Sequence, residues 1–441
     1  MKNLIDTIKN IWRIEELRKR ILITLGLLLV YRIGSFIVLP GVNSAALANA
    51  TAGGGGGLVD LLSIFTGGAF TRASIFALGV MPYISASIIM QLAGIAVPAV
   101  QKMQREESGR RKINQWTRYL TILICVFQAP GYIYTYVDES ARQVANPQFW
   151  MFTSIVILTC STLFVMWLGE RITERGLGNG ISLIIMIGIL ARLPESFIQE
   201  FIGRTTGGGG LVVILIEVVL WLLIIAGNIL LVQGTRRIPV QFAKRVQGNK
   251  QFGGVRNYIP LKVNAAGVMP IIFAQAIVTI PLILAQTMGW DSLATFNDIT
   301  SWWYNITLFL MVVLFTYFYT AITVNPNQLA DDMKRNGGFI PGVKPGKHTA
   351  GHIDDLLSRI TLPGAIFLGL VAILPAFAVM AGVKQGFAQF FGGTSLLIMV
   401  GVLLDTLQQI ESHLLMRHYD GLMKTGRIKG RTNAAYGMAT G

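Results

Sequence analysis

The residues able to do chemistry are few and stand apart from one another in the sequence. His348 and His352 have the i, i+4 spacing of a zinc-binding pair, but they lie in a predicted loop and no glutamate stands between them. The glycine runs at 53–57 and 207–210 lack the lysine and hydroxyl residue that complete a phosphate-binding loop. No paired catalytic residues are visible either, so the sequence predicts no enzyme activity, no metal site and no cofactor.

Two acidic residues, Glu217 and Asp405, lie inside apolar runs. Secondary transporters place such residues near the membrane midplane, where they bind ions or protons. The alternative is a structural role, in which each carboxylate is hydrogen-bonded or lies near an interface. We favour the structural role because isolated acids lack the partners of a relay. Cys125 and Cys160 also lie in apolar runs and are interpreted as small hydrophobic residues.

The chain around these residues is strongly apolar. Of its 441 residues, 53% are hydrophobic and only 13% are charged, whereas a soluble domain carries about 25% charged residues. A membrane-spanning helix needs about 20 apolar residues. Ten segments come within reach of that length and predict an all-α membrane protein with spans at 21–39, 74–97, 116–137, 150–168, 179–202, 211–232, 264–288, 304–323, 356–380 and 394–416.

Positive charge alternates along the connections between these segments. One set is rich in Lys and Arg and includes the N-terminal region, the long loops 233–263 and 324–355, and the C-terminal tail. The positive-inside rule therefore predicts that both termini are cytosolic, which agrees with an even number of spans. Residues 1–20 are predicted to form an interfacial amphipathic helix rather than a cleaved signal peptide. The opposite set of connections is poor in positive charge, and its basic residues include Arg142, Arg192, Arg204 and Lys384.

A short motif occurs twice. "GVMPYI" at 79–84 opens the second segment, and "GVMPII" at 267–272 opens the seventh. Each segment is the second of a five-span half, and two halves with an odd number of spans run in opposite directions. This is the layout of an inverted repeat, whose functional site lies between the halves. Chance, or a shared preference of kinked spans for Gly and Pro, is the alternative explanation.

Four segments are interrupted by proline, glycine or polar residues: the second, fifth, seventh and tenth. The apolar part of the fifth, about 181–193, is too short to cross a membrane by itself before Pro194. Broken or polar spans are tolerated where they face protein or water rather than lipid. We therefore expect these four segments to line a cavity, and the uniformly bulky sixth segment to face lipid.

Six stretches of the chain carry a resemblance to a known family. They are "FTGGAFTRASIFALGVMPYISASIIMQL" at 65–92, "ESGRRKINQWTRY" at 107–119, "MWLGERITERGLGNGISLII" at 166–185, "RRIPVQFAKR" at 236–245, "LKVNAAGVMP" at 261–270 and "FGGTSLLI" at 391–398. These stretches resemble the bacterial SecY family, the channel subunits of the Sec protein translocase, in the family's order and at corresponding spacings from the first span to the tail. The resemblance implies a channel that performs no covalent chemistry.

In this family a ring of aliphatic side chains constricts an hourglass-shaped pore, and a re-entrant half-helix plugs its outer funnel. The resemblance assigns the ring to Val80, Ile84, Ile181, Ile185, Ile272 and Ile398. It assigns the plug to the half-helix 58–70, with Leu58, Leu61, Leu62, Ile64 and Phe65, and with Gly67 and Gly68 as a flexible joint. Ordinary core packing is the alternative role of any single ring residue.

The family also opens sideways, between spans two and three on one side and seven and eight on the other. Signal sequences and nascent spans leave through this gate. The polar residues that match its gate cluster are Gln91, Thr117 and Asn264. Hydrogen bonds between such groups would close the gate at about 1 kcal/mol each, and ordinary helix–helix association is the alternative role.

The resemblance further implies partners. The two long basic loops are expected to dock the ribosome, through its RNA and proteins, and the motor ATPase SecA. Lys344 departs from the family, which usually has arginine there, and lysine lacks the planar fork of a guanidinium. The small membrane subunits SecE and SecG are expected as well. The candidate docking residues are Arg236, Arg237, Lys244, Arg245 and Lys344.

These expectations give one organisation: the amphipathic helix 1–20, an N-terminal half at 21–202, a C-terminal half at 211–416 and a cytosolic tail at 417–441. The predicted function is a channel that translocates unfolded secretory polypeptides across the bacterial inner membrane and releases transmembrane segments into the lipid bilayer. An inverted-repeat secondary transporter is the main alternative. A membrane receptor for ribosomes is a more distant one.

Overall fold

The computed structural model describes residues 12, 14–43, 47, 63, 66–137, 141–142, 146–207, 210–242, 245–247, 250–252, 256–275, 277–278 and 300–424. Its named helices, in chain order, are α1 (Glu15–Gly34), α2 (Met81–Ala96), α3 (Pro98–Arg105), α4 (Glu107–Tyr136), α5 (Pro147–Arg175), α6 (Gly180–Gly207), α7 (Gly210–Gln233), α8 (Trp302–Thr323), α9 (Pro326–Arg335), α10 (Lys347–Met380), α11 (Gln385–Ala388) and α12 (Gly393–Lys424). Residues 269–275 are helical too. The strands are β1 (Thr235–Phe242), β2 (Arg245–Gln247), β3 (Lys250–Phe252), β4 (Arg256–Lys262) and β5 (Gly338–Phe339).

The predicted spans coincide with helices for at least part of their length, and the all-α class is confirmed. Within the described residues, six helices are long and apolar enough to cross a membrane. A seventh span is formed if α2 and α3, which are bent by 107° relative to each other, act as one broken span. The seventh predicted segment is helical from 269, and its part beyond 278 lies outside the described residues. The described part of the N-terminal region, 15–20, continues directly into the first span as the start of α1.

Two expectations about the spans are wrong. The second span is predicted from residue 74, but 66–80 form turns and an isolated bridge, and α2 starts only at Met81. The apolar part of the fifth span, 179–202, is expected to be too short to cross before Pro194, but α6 continues through this proline to Gly207 and is long enough to cross. Prolines are tolerated inside membrane helices because neighbouring groups and local adjustments satisfy the backbone carbonyl that the ring leaves free.

Each half has its own apolar core. In the first half, Tyr132 and Trp150 pack with Phe70 and Leu158. Their polar atoms also find backbone partners, since the Tyr132 hydroxyl donates to the Phe70 carbonyl and the Trp150 indole donates to the Pro40 carbonyl, both at 2.7 Å. These bonds fix the connection between α1 and α2 against the first-half bundle.

The second-half core is built mainly from α8 and α10, which pack along each other. Val312 and Leu368 are fully buried there, together with Ile271 of the 269–275 helix and Leu397 of α12. A separate pair of strands, β2 and β3, forms a short hairpin in the connection that follows α7.

The two long basic connections are joined in one small sheet with the order β4-β1-β5. β1 pairs antiparallel with β4 along 235–241, and its end pairs with β5. Ile238 and Val240 of β1 are buried against Met333 of α9 and Ile353 of α10. The sequence predicts loops in these stretches, so the sheet was not expected.

Candidate functional site

The repeated motif adopts the same backbone conformation in both halves. Gly79 and Gly267 have positive φ values of 54° and 65°, a conformation that favours glycine. A helix starts two residues later in each half, with the motif's proline in its first turn. The carbonyl that follows each glycine accepts an amide hydrogen bond, at 3.1 Å for Val80 and 3.4 Å for Val268. This structural correspondence supports an inverted repeat over a chance match.

The predicted ring residues gather in two adjoining apolar clusters. Val80, Ile84 and Ile181 belong to the first cluster, which also contains Tyr31 of α1. Ile185 and Ile398 belong to the second, which combines α6 of the first half with α11 and α12 of the second half. Val402 of α12 packs against both clusters and was not predicted from the sequence. Aliphatic side chains of the two halves therefore meet at this point.

The sixth predicted ring residue, Ile272, lies in neither of these clusters. It is half-buried, one turn into the helix that the second copy of the motif starts. Its neighbour Ile271 is fully buried in the core of the second half.

Five of the predicted plug residues lie outside the described part of the chain: Leu58, Leu61, Leu62, Ile64 and Phe65. Residues 66–70 are described, and they form buried turns rather than the end of a half-helix, so this part of the prediction is wrong. Gly67 and Gly68 have φ values of 65° and 84°, which are incompatible with a right-handed helix.

The turn at these glycines is fixed between α1 and α6. Arg32 donates from Nη1 to the Gly67 carbonyl at 3.1 Å, and Arg192 donates to the hydroxyl of Ser63. A Cβ on Gly67 would lie only 2.9 Å from Arg32 Nη1 and 3.1 Å from the Cα of Gly188. The segment is thus held by two arginines whose role the sequence analysis did not identify.

One of the three predicted gate residues makes a side-chain hydrogen bond between the halves. The Tyr319 hydroxyl of α8 donates to Oε1 of Gln91 on α2 at 2.9 Å. Thr117 instead donates to the carbonyl of Ile113, one turn earlier in its own helix, at 2.9 Å. Asn264 Oδ1 is buried and has no hydrogen-bond partner among the described residues. Tyr319 is therefore a partner that the sequence analysis missed, since a tyrosine in an apolar span carries no distinctive signal.

Glu217 has the structural role favoured from the sequence. It is buried on α7, and its Oε1 accepts from Arg204 at 2.6 Å. The same guanidinium donates to Glu200 at 2.9 Å, and the other oxygen of Glu200 accepts from the Lys384 amide at 2.8 Å. These bonds tie α6 to α7 and to the connection before α11. Asp405 is exposed on α12.

The candidate docking residues lie on or near the small sheet. Arg236 and Arg237 are exposed on β1, and Lys344 is exposed in the turn that follows β5. Because β1 pairs with both β4 and β5, the sheet brings the two predicted docking loops into one surface. Only the backbone of Arg245, in β2, is described, and Lys244 lies outside the described residues.

The two histidines with zinc-pair spacing lie in the first turns of α10 rather than in a loop, which corrects the prediction. His348 and His352 are both exposed there. In the part of the chain that the structure describes, no group of three or more His, Cys, Asp or Glu side chains is placed to hold a metal ion.

These features define a polytopic α-helical membrane protein whose two halves meet through aliphatic side chains. The SecY family model matches residues 74–407, and the chain belongs to the SecY family. It is 41% identical over 440 residues to the protein translocase subunit SecY of Mycobacterium tuberculosis, covering 93% of this chain and 98% of that protein. It is 40% identical over 432 residues to the protein translocase subunit SecY of Thermotoga maritima, covering 96% and 99%.

Solved structures share the fold. One, described as the structure of a protein conducting channel, matches with a TM-score of 0.62 and 17% identity over 94% of this chain and 95% of that one. Sec61 in the canine ribosome–channel complex from the endoplasmic reticulum matches with a TM-score of 0.59 and 16% identity, over 94% and 95%.

Proposed function

We propose that this chain is the channel subunit of a bacterial Sec-type translocase. It moves unfolded secretory polypeptides across the inner membrane and releases transmembrane segments sideways into lipid. The observation that carries the proposal is the aliphatic contact between the two halves, around Val402. The curated relatives of this chain, which are named protein translocase subunit SecY, also support the proposal.

The side chains of the proposed constriction carry no charge and no hydrogen-bonding group. Aliphatic side chains offer water no hydrogen-bond partner, so a narrow passage lined by them dewets and blocks ions. They also offer no preferred partner to a passing side chain, which suits a channel for polypeptides of any sequence. The constriction is formed by Val80, Ile84, Ile181, Ile185, Ile272 and Ile398.

Segment 58–70 is the proposed plug of the outer funnel. The bonds from Arg32 to Gly67 and from Arg192 to Ser63 hold its C-terminal end against α1 and α6. Opening of the plug breaks these bonds. Gly67 and Gly68 allow the change in chain direction because glycine adopts positive and negative φ with similar ease.

The proposed lateral gate is the boundary between α2 and α4 of the first half and the 269–278 segment and α8 of the second. Gln91, Thr117 and Asn264 are its polar residues. An interhelical hydrogen bond in a membrane contributes about 1 kcal/mol, so a gate held by a few such bonds opens when a signal sequence binds between its helices.

The small sheet is the proposed docking surface for cytosolic partners. Its exposed Arg236 and Arg237, with Lys344 nearby, suit ribosomal RNA, because phosphates attract Lys and Arg. The fold neighbour Sec61 occurs in a ribosome–channel complex. The motor ATPase SecA is the second partner proposed for this surface, and SecE and SecG are the proposed membrane subunits. Both chain termini are proposed to lie in the cytosol, a location that the distribution of positive charge supports.

Reconstituted transport tests the proposed function. The chain is placed in proteoliposomes with SecE, SecG and SecA, and an unfolded precursor with a signal sequence is added with ATP. We expect the precursor to become protected from external protease, and a tightly folded version to stay accessible. If the precursor stays accessible, and an ion gradient instead drives saturable uptake of a small solute, the chain is a secondary transporter.

A further inference from the structure

Within the described residues, direct bonds from a side chain of one half to a side chain of the other occur at two boundaries. At the boundary between α6 and α7, Arg204 forms an ion pair with the buried Glu217. At the boundary between α2 and α8, the Tyr319 hydroxyl donates to Gln91 Oε1 at 2.9 Å. A neutral hydrogen bond is weaker than a charge-assisted one. Of these two bonds, the one between α2 and α8 therefore breaks at lower cost.

A cluster of aromatic rings positions the Tyr319 side chain beside Gln91. Tyr319 is only 6% exposed, and its ring centroid lies 5.6 Å from that of Phe273 in the 269–275 helix. Phe273 in turn stacks on Phe315 of α8 at 5.8 Å. The hydroxyl position therefore depends on how α8 packs on the helix that also contains Ile272.

The bond is suited to repeated breaking. Gln91 is exposed, so the described residues do not enclose its side of the bond. The other predicted gate residues do not bridge these helices in the described structure, because Thr117 donates within its own helix and Asn264 Oδ1 has no partner.

We propose that Tyr319 is a latch residue of the channel, whose hydroxyl holds α2 against α8 and thereby sets the signal strength needed to open the gate. The inference rests on the proposed function and adds to it the residue that determines stringency toward signal sequences. A segment that inserts between α2 and α8 breaks the latch. A strongly apolar signal sequence gains enough from its own insertion to break the bond, whereas a defective one does not.

The substitution Tyr319→Phe tests the latch, because it removes the hydroxyl and keeps the ring that packs on Phe273. Export of a precursor with a defective signal sequence is measured in reconstituted vesicles, at equal levels of inserted channel. We expect export to rise about fivefold, the effect of one interhelical hydrogen bond on a two-state equilibrium. Export with an intact signal sequence should change little, since that signal already opens the gate.

Two comparisons separate a latch from a general loosening of the helices. Tyr317→Phe removes a hydroxyl from the same helix, but that hydroxyl approaches the Ser358 carbonyl within the second half at 3.5 Å, so it should export like the parent. Gln91→Leu should relax stringency as Tyr319→Phe does, and the double variant should be no more permissive than either single variant.

The latch is overturned if Tyr319→Phe handles the defective signal like the parent, if Tyr317→Phe relaxes stringency equally, or if the two latch substitutions act additively. Failure of the proposed function gives a different result, because the parent channel itself then exports no precursor with an intact signal sequence.

Discussion

Arg204 stands between two buried carboxylates and bonds to both, at 2.9 Å to Glu200 and 2.6 Å to Glu217. At the residue scale this contact decides between the two roles that the sequence left open for Glu217. The sequence shows that Glu217 lies inside an apolar helix. Its partner Arg204 lies on the preceding helix, and no sequence motif links the two residues. The same limit applies to Arg32, whose contact with Gly67 depends on how α1 packs against the 66–80 turns.

Replacing this central arginine should destabilise the protein. Arg204→Met leaves Glu200 and Glu217 buried without their cation, and breaking a buried ion pair costs about 3–5 kcal/mol. We expect a lower midpoint of thermal unfolding in detergent. Adding Glu200→Gln and Glu217→Gln should restore much of the loss, because the amides carry no charge. The same loss in the single and triple variants would contradict this account.

Arg171→Met is the matched control for that experiment. Its partner Glu174 is exposed, and an exposed pair contributes only about 0–1 kcal/mol. The thermal midpoint should therefore stay close to that of the parent.

Polar substitutions in the proposed constriction should cause a leak. Ile84→Asn and Ile398→Asn each place an amide among aliphatic side chains, so water wets the closed passage more easily. We expect ion conductance in planar bilayers without any precursor, and export of precursors with poor signal sequences.

Leu223→Asn on α7 is the control for the constriction, since Leu223 is 66% exposed on a helix predicted to face lipid. Ile214 on the same helix is unsuitable because it is only 8% exposed. Leu223→Asn should lower insertion or stability without a leak. Parent-like conductance of both ring variants, together with a leak in Leu223→Asn, would place the pore elsewhere.

At the element scale, the long apolar segments are predicted well and the strands are missed. Nine of the ten predicted spans overlap the helices α1, α2, α4, α5, α6, α7, α8, α10 and α12, and the other overlaps the 269–275 helix, because length and apolarity suffice to specify a span. β1 and β4 contain Pro239 and Pro260, which argue against strands in the sequence. The structure accommodates them because β4 is an edge strand and β1 pairs with β5 only near its end.

The small sheet should be required for docking but not for folding of the spans. Reversal of charge at Arg236, Arg237 and Lys344 should strongly reduce motor-driven export while the channel inserts at a normal level, because these exposed residues lie outside the apolar helices. Binding of ribosomes and of SecA to vesicles is measured alongside export.

A second triple reversal provides the matched control: Lys102, Lys112 and Arg175 are also exposed, but they belong to α3, α4 and α5 and not to the sheet. This variant changes the net charge equally and should export more than the first. Normal export by the sheet variant, or equal defects in both, would show that the sheet is not the docking surface.

At the scale of the whole molecule, the sequence indicates two halves, and the structure adds the way they meet. The repeated motif predicts related helix starts, and Gly79 and Gly267 confirm the same local conformation. Contacts between halves have no periodic signal, so neither Val402 nor the Tyr319–Gln91 bond was predicted. In the proposed function the channel opens at these contacts, which makes them the most informative targets.

Site-specific photocrosslinking of a stalled secretory precursor tests whether the translocating polypeptide passes between the two halves of the chain. A photoreactive residue is placed at Ile84 or Ile272, near the proposed constriction, and at Leu223 or Leu310, which are 66% and 60% exposed on α7 and α8. The account predicts that the translocating part of the precursor crosslinks to positions 84 and 272 and not to positions 223 and 310. Crosslinks from the lipid-facing positions alone, or from none of the four in a precursor shown to be stalled in the membrane, would contradict it.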